Sequence, residues 1–275
     1  MLPELNRHVP PLAEPPAPFL ASCFTPAGPP ATSLVEAGDA RVLSVPGRYC
    51  VTHIIEGPEG LVMVDVGSVS DVERLEPAVE WLGKPVRLVI PSHLHFDHIM
   101  GIDAAASRFG ARIGLGHVAH NHVTRRLHTR SIRRPDAKTG FLVWLWQGLP
   151  VFSGRDLRHG AGFGFPWSRN QFCAPLGKVL AEGEELEDLP GWRVLETPGH
   201  ADDAICLFHE KGGFLVAGDT VRNFLGGEWN IIETDPEAYA NTRERLESLE
   251  IQAIFPGHGP LVFGENVVRI LKSPS

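Results

Sequence analysis

Apolar and β-branched residues come in short runs along this chain, and each run closes in a turn built on Gly, Pro or Ser. GLVMVDVG (60–67), VRLVIPSH (86–93), WRVLETPGH (192–200), GFLVAGD (213–219) and IQAIFPGH (251–258) share that form and are predicted strands. Their apolar residues are nearly continuous, with little alternation. Such strands are covered on both faces, which predicts a layered α/β architecture.

Helical patterns fill the intervals. SDVERLEPAVEWLG (70–83) offers Ser and Asp as a cap and Gly83 as a stop, with Pro77 as a point of kinking. HIMGIDAAASRFG (98–110) reads as one helix closing on Gly110. TDPEAYANTRERLESLE (234–250) starts with Asp235 as N-cap and Pro236 at the first helical position.

Each predicted strand also delivers a His or Asp at its end or just beyond. The deliveries are His93, His95, Asp97, His98, His200, Asp219 and His258, which include five of the chain's 13 histidines. One histidine at a strand end needs only a structural explanation. Five at equivalent places with two carboxylates point instead to a shared centre. The segment HLHFDH (93–98) makes the point alone, because buried polar groups left unpaired cost roughly 1–3 kcal/mol each. Imidazole and carboxylate without thiolate is a donor set for Zn²⁺, Fe or Mn²⁺. Seven donors exceed one four-coordinate ion and predict two ions sharing a bridge.

At these residues the sequence resembles the metallo-β-lactamase superfamily. The pieces are VDVG (64–67), HLHFDH (93–98), TPGH (197–200), AGD (217–219) and PGHG (256–259), in the family's order. The resemblance implies a four-layer αββα sandwich of two similar halves with the metals at one sheet edge. It implies that His93, His95 and His200 hold one ion, that Asp97, His98 and His258 hold the other, and that Asp219 bridges them. Asp65 would then orient the ligand loop, since metal ligands need such supporting partners.

Two departures stand out. After His200 the chain reads ADDA, and Asp202 and Asp203 are expected to bond within their turn or to face water. Three residues after the bridging aspartate, where lactone-cleaving relatives often place tyrosine, stands Arg222, a candidate for meeting an anionic group.

The stretch around 120–180 is not explained by the shared core and reads as an insertion. Eight basic residues against one acid fall between 107 and 138, and residues 141–172 hold eight of the 22 aromatics. Two readings stay open for the aromatic part: a wall or lid with Trp144 and Trp146 against substrate, or a contact between subunits of a homo-oligomer. Residues 117–122 add His117, His120 and His122, but without carboxylates to complete a further metal site.

Nine of the first 30 residues are proline, so residues 1–30 are expected to form an extended arm ahead of a domain over 31–275. A formal charge of −8 argues against nucleic acid as a partner. The four cysteines lie far apart, with neither a disulfide framework nor a zinc knuckle among them. Without a signal-peptide pattern or an apolar run of about 20 residues, stable membrane insertion is not expected and the cytoplasm is the expected location.

The chemistry these readings favour is hydrolysis of an ester, thioester or lactone bond by a metal-bound hydroxide, with Asp97 as the catalytic carboxylate. The partner would be a small molecule with an apolar part and an anionic end. Three alternatives remain: a phosphodiesterase on the same site, a mononuclear iron enzyme like the persulfide dioxygenases, and a metal-stabilised binding protein without turnover.

Overall fold

Two sheets face each other, and alternation along each strand decides which side chains lie between them. The computed structural model describes residues 4–6, 31–125, 156 and 172–272. The first sheet takes its strands in chain order: β1 (Glu4–Asn6), β2 (Ser33–Ala37), β3 (Ala40–Pro46), β4 (Val51–Glu56), β5 (Leu61–Val64), β6 (Val86–Ile90), β7 (Arg112–Gly116) and β8 (Leu176–Leu180). Pairing is antiparallel from β1 to β5 and parallel from β5 to β8.

The second sheet contains β9 (Glu185–Leu186), β10 (Leu189–Glu196), β11 (Ile205–His209), β12 (Phe214–Gly218), β15 (Ala253–Pro256) and β16 (Val262–Phe263), side by side in that order. Only β12 and β15 run parallel. A small hairpin of β13 (Val221–Arg222) and β14 (Glu228–Trp229) follows β12.

Val62, Val64, Leu88 and Ile90 of the first sheet meet Val194, Leu207, Val216 and Phe255 of the second, and this forms the central core. Their neighbours one residue away face outwards. Leu61, Met63 and Val89 pack under α1 (Val72–Leu82), α2 (Phe96–Ile99), α3 (Ile102–Phe109) and α4 (His117–Thr124). Leu195, Cys206, Leu215 and Ile254 pack under α5 (Pro236–Glu247) and the 3₁₀ turn Val267–Ile270. The result is helix, sheet, sheet, helix: the expected αββα sandwich. Burying both faces is why the strands read as continuous apolar runs, each Val, Leu or Ile contributing about 1.5–3 kcal/mol.

The helix starts and stops differ in part from the sequence reading. Gly83 closes α1 in the left-handed conformation, and the helix runs on through Pro77. Neither Ser70 nor Asp71 caps it, however. Ser68 caps a preceding 3₁₀ turn, and the Asp71 carboxylate is drawn away to accept the Arg48 amide at 2.8 Å. The single helix expected over 98–110 is two, α2 and α3, broken at Gly101. There the chain runs hard against β5's exit: a Cβ would collide with Ser68 O and Val66 Cγ1, and Gly101 N donates to Val66 O at 2.8 Å. Helix α5 starts as expected, with Asp235 accepting from Ala238 N at 3.1 Å.

Residues 4–6 of the Pro-rich arm pair with β2 along the edge of the first sheet. In the stretch read as an insertion, 176–180 forms strand β8, while Trp144 and Trp146 lie outside the described residues. Among the described residues, no helix is long and apolar enough to cross a membrane.

Candidate metal centre

The seven predicted donors converge at one end of the sandwich, carried by the loops that leave β6, β10, β12 and β15. β6 ends at Ile90, and the next eight residues supply His93, His95, Asp97 and His98, the last two on the single turn of α2. His200 follows β10, Asp219 follows β12 and His258 follows β15.

Backbone ties fix where these loops end. Ile205 N of the second sheet donates to Ser92 O at 2.8 Å, and Val51 N of the first donates to Gly257 O at 2.8 Å. Buried His53 accepts from Ser44 Oγ and donates through Nε2 to Pro256 O at 2.9 Å, which pins the end of β15 to β4. Gly257 admits no larger residue. A Cβ there would stand 2.6 Å from His98 Cε1 and 2.8 Å from Asp219 Oδ1.

The donor atoms form three overlapping groups, each within 4.8 Å: His93, His95 and His200; His93, His98 and Asp219; and Asp97, His98 and His258. His200 Nε2 lies 3.1 Å from His95 Nδ1. Asp219 sits between the groups. Its Oδ2 is 3.6 Å from His200 Nε2, while its Oδ1 is 3.3 Å from His98 Nε2 and 3.4 Å from His258 Nε2. Asp97 Oδ2 is 3.3 Å from His258 Nε2.

The outward nitrogens of three imidazoles are engaged by protein, His93 Nδ1 lying 3.0 Å from Ser92 Oγ. His98 Nδ1 donates to Asp65 Oδ2 at 2.9 Å, and His200 Nδ1 donates to Ile232 O at 2.8 Å. That fixes the tautomer and aims each Nε2 lone pair inwards. Asp65 is fully buried at φ 60°, a left-handed conformation that Asp tolerates better than most residues. It also accepts from Ser92 N at 2.6 Å and Ser92 Oγ at 2.8 Å.

Several inward-facing atoms, by contrast, lack hydrogen bonds. His93 Nε2, His98 Nε2 and Asp219 Oδ1 are buried and unbonded. Inward-facing donors with engaged backs are what a bound cation satisfies, so the residues fit divalent metal.

Electrostatics divide the set. Burial, reinforced by neighbouring imidazoles, holds His93 well below the usual histidine range and brings His95 down to about 3. Burial lowers His200 as well. Burial would also lower His98 and His258, but the carboxylates around them prevail. Asp65, Asp219 and Asp97 raise His98 well above its ordinary value, and Asp219 and Asp97 raise His258 to about 9. The carboxylates answer in kind: burial opposes ionisation, but His98 and His258 bring Asp97 down to about 2 and hold Asp219 well below the carboxylate range. Positive charge is favoured around Asp97 and Asp219, whether protons or metal supply it.

Other sequence candidates are placed differently. Arg222 is only 6% exposed, its Nε 3.6 Å from Glu228 Oε1 and its guanidinium over the Phe224 ring. Its charge is thus already balanced inside the protein. Phe224 in turn stacks on His258 with ring centroids 6.1 Å apart. His122 pairs with Asp202 at 3.2 Å, and among the described residues no donor group includes His117, His120 or His122.

The expectation that Asp202 and Asp203 serve only their own turn or face water needs correction for both: Asp202 reaches His122 on α4, and Asp203 reaches the ligand loop. Asp203 is the more deeply placed. It is 3% exposed and accepts the Leu94 amide, between His93 and His95, at 2.9 Å. Burial, with Asp202 beside it, raises its carboxyl to about 7. Two acids amid Ala201, Ala204 and Ile205 were the available signal. Asn230 gave none. Its side chain donates to Asp219 O at 2.9 Å and accepts from Ile232 N at 3.0 Å, which links the residue holding His200 to Asp219.

Comparison with known proteins agrees with this geometry. The sequence profile of the metallo-beta-lactamase superfamily matches residues 45–258, which include Asp65 and all seven donors. The chain belongs to the metallo-beta-lactamase superfamily. It is 25% identical to the probable metallo-hydrolase YqjP of Bacillus subtilis over 244 residues, which cover 80% of this chain and 72% of that protein. A hydroxyacylglutathione hydrolase of Hydrogenovibrio crunogenus is 34% identical over 86 residues, 30% of this chain and 31% of the relative. Among solved structures, the metallo-beta-lactamase family protein TTHA1429 of Thermus thermophilus superposes with a TM-score of 0.56 at 25% identity, covering 84% of this chain and 76% of that one. This member of the metallo-beta-lactamase superfamily is accordingly a metallo-hydrolase.

Proposed function

We propose that the chain hydrolyses an ester, thioester or lactone bond at a centre of two divalent ions, zinc by its donor set, with iron or manganese as alternatives. One observation carries the dinuclear reading: the two oxygens of Asp219 face different histidines, Oδ2 towards His200 and Oδ1 towards His98 and His258. On this reading His93, His95 and His200 hold one ion, Asp97, His98 and His258 hold the other, and Asp219 spans both. When bound, such a pair supplies an acidified water as nucleophile and polarises the bond under attack.

The protein's own residues set the terms of that chemistry. Asp97 is ionised far below neutrality, which suits it to hold and orient and leaves it a poor proton donor. Asp65 and the Ile232 carbonyl keep His98 and His200 in register. Phe224 against His258 and the exposed Leu225 beside it give the centre an apolar flank, which favours a substrate with an apolar portion. Trp144 and Trp146 are proposed to extend that flank. Arg222 is tied to Glu228, so an anionic end would be met instead by basic residues of the 107–138 stretch. The relative named hydroxyacylglutathione hydrolase supports an acyl bond as the target.

The test is elemental analysis of gently purified protein, followed by ester, lactone, thioester and phosphodiester substrates on the same sample. About two ions per chain and turnover of an acyl substrate are expected. A stable, fully active one-ion form would remove the dinuclear reading. Preference for phosphodiesters would reassign the bond. Trp144→Ala and Trp146→Ala should weaken apolar substrates more than small polar ones. Conversion of an oligomer to monomers without a change of preference would make that segment an interface.

A further inference from the structure

The donor group His93, His95 and His200 is assembled from two distant pieces of chain. The rings stand close, with centroids 4.4 Å apart for His93 and His95, 5.1 Å for His93 and His200, and 4.8 Å for His95 and His200. Nothing in the local sequence of either piece sets that spacing, so bonds between the pieces must set it. Two of them meet the ligand loop on either side of His93: Ile205 N donates to Ser92 O, and Leu94 N donates to Asp203 Oδ2 at 2.9 Å.

We infer that Asp203 is a positioning residue that locks the His93–His95 loop to the turn bearing His200. It stands three residues after His200 and takes the one amide that lies between the two loop histidines. Asp65 does the corresponding work one residue before His93, where it takes the Ser92 amide at 2.6 Å. His93 is therefore flanked by two buried carboxylates, one from each half of the sandwich. A buried carboxylate is costly in a turn that otherwise offers Ala201, Ala204 and Ile205. An acceptor oxygen held rigidly in that turn fixes the Leu94 amide, and so the two loop histidines on either side of it, relative to His200. Asp202 adds a longer tie from the same turn to His122 on α4, at 3.2 Å. The shift of a ligand by even a few tenths of an ångström loosens a metal, so the lock acts on affinity through His93 and His95 without touching the ion.

This inference rests on the reading that these histidines hold metal, and the test separates the two. The full chain, stripped of metal, is titrated with cobalt(II) against a chromophoric chelator, and the visible spectrum of the bound ion is recorded. Asp203→Ala should weaken one of the bound ions by on the order of 10–100-fold and change its spectrum. Asp203→Asn, whose side-chain oxygen still accepts from Leu94 N, should stay close to wild type. Asp203→Ser, polar but too short to reach Leu94 N, repeats the comparison if the alanine variant fails to fold, and should behave as alanine would. Wild-type affinity and spectrum in the alanine or serine variant would overturn the positioning role, and so would an equal loss in the asparagine variant. Wild-type protein that binds no cobalt would overturn the metal reading itself and this inference with it.

Discussion

Oδ2 of Asp65 stands 2.9 Å from Nδ1 of His98, with both side chains fully withdrawn from water. That contact turns the His98 ring so that Nε2 faces Asp219 and makes Nδ1 the protonated nitrogen. Asp65 holds a left-handed backbone position just beyond β5, and from there its one carboxylate reaches both Ser92 and His98. Asp65→Asn is the informative change, because Asn tolerates the same backbone and can keep an acceptor for the Ser92 amide while it removes the charge and the acceptor facing His98. Metal affinity at the His98 position should fall on the order of 10–100-fold, seen as a drop from about two ions towards one after dialysis. Retention of both ions would deny Asp65 its role.

Asp219→Ala should reduce turnover by on the order of 100-fold or more and leave the fold intact, because its two oxygens face different histidines and the residue belongs to none of the apolar cores. In the metal-free chain the substitution also removes a buried, unbonded oxygen. Circular dichroism melts and hydrolysis rates measured together decide it. Unimpaired rates would take Asp219 out of the site.

Metal binding should release protons. Without metal, the carboxylates raise His258 to about 9 and hold His98 well above the usual histidine range, so both are protonated at neutral pH. A ligating imidazole must give up that proton, so affinity should rise with pH from neutrality to at least about 9. His93, His95 and His200 are held low and contribute nothing to this dependence near neutrality. Calorimetry in buffers of different ionisation enthalpy measures the protons released. None at pH 7 would show that the acidic neighbours do not control the centre.

The strands that carry the donors were legible because burial on both faces makes them apolar from end to end and a turn residue closes each one. β2, β3 and β4 escaped notice for the opposite reason. Ser33, Glu36, Arg41, Ser44, Thr52 and His53 interrupt their apolar pattern, and several are satisfied only by partners across the fold, as His53 is by Ser44 and Pro256. The break at Gly101 was invisible because its cause is a steric encounter with Ser68 and Val66 on a different element. Among the site residues, ligands announced themselves by type, since three imidazoles in six positions have no cheap alternative. Supporting residues did not. Asp203 and Asn230 act through one or two hydrogen bonds to distant backbone, and an acid or amide in a turn looks the same whether it is solvated or buried.

Asp71 sets a pH dependence of stability that is independent of the metal centre. Its carboxyl is 2% exposed; Oδ1 accepts the Arg48 amide and Oδ2 is unbonded. Burial raises it to about 7, with Asp156 adding to the rise and the Arg48 amide and Arg74 opposing it. An unfolded aspartate titrates near about 3.9, so the folded chain keeps a proton that the unfolded chain has lost. Stability from this group is therefore fully present below about pH 4, declines as pH rises, and is gone above about 7. Three units at about 1.4 kcal/mol each bound the loss at about 4 kcal/mol. Asp71→Asn keeps an acceptor for Arg48 N and cannot ionise, but its amide brings a donor into the same pocket, so the gain should fall short of that bound. Urea unfolding of the chelated proteins is the measurement, since the histidine titrations cancel between variant and wild type. At pH 8 the variant should be more stable by about 1–3 kcal/mol, and near pH 4 it should be equal or slightly less stable. A difference of the same size at both values would show that Asp71 is ionised in the fold throughout, with its charge balanced by Arg48 and Arg74.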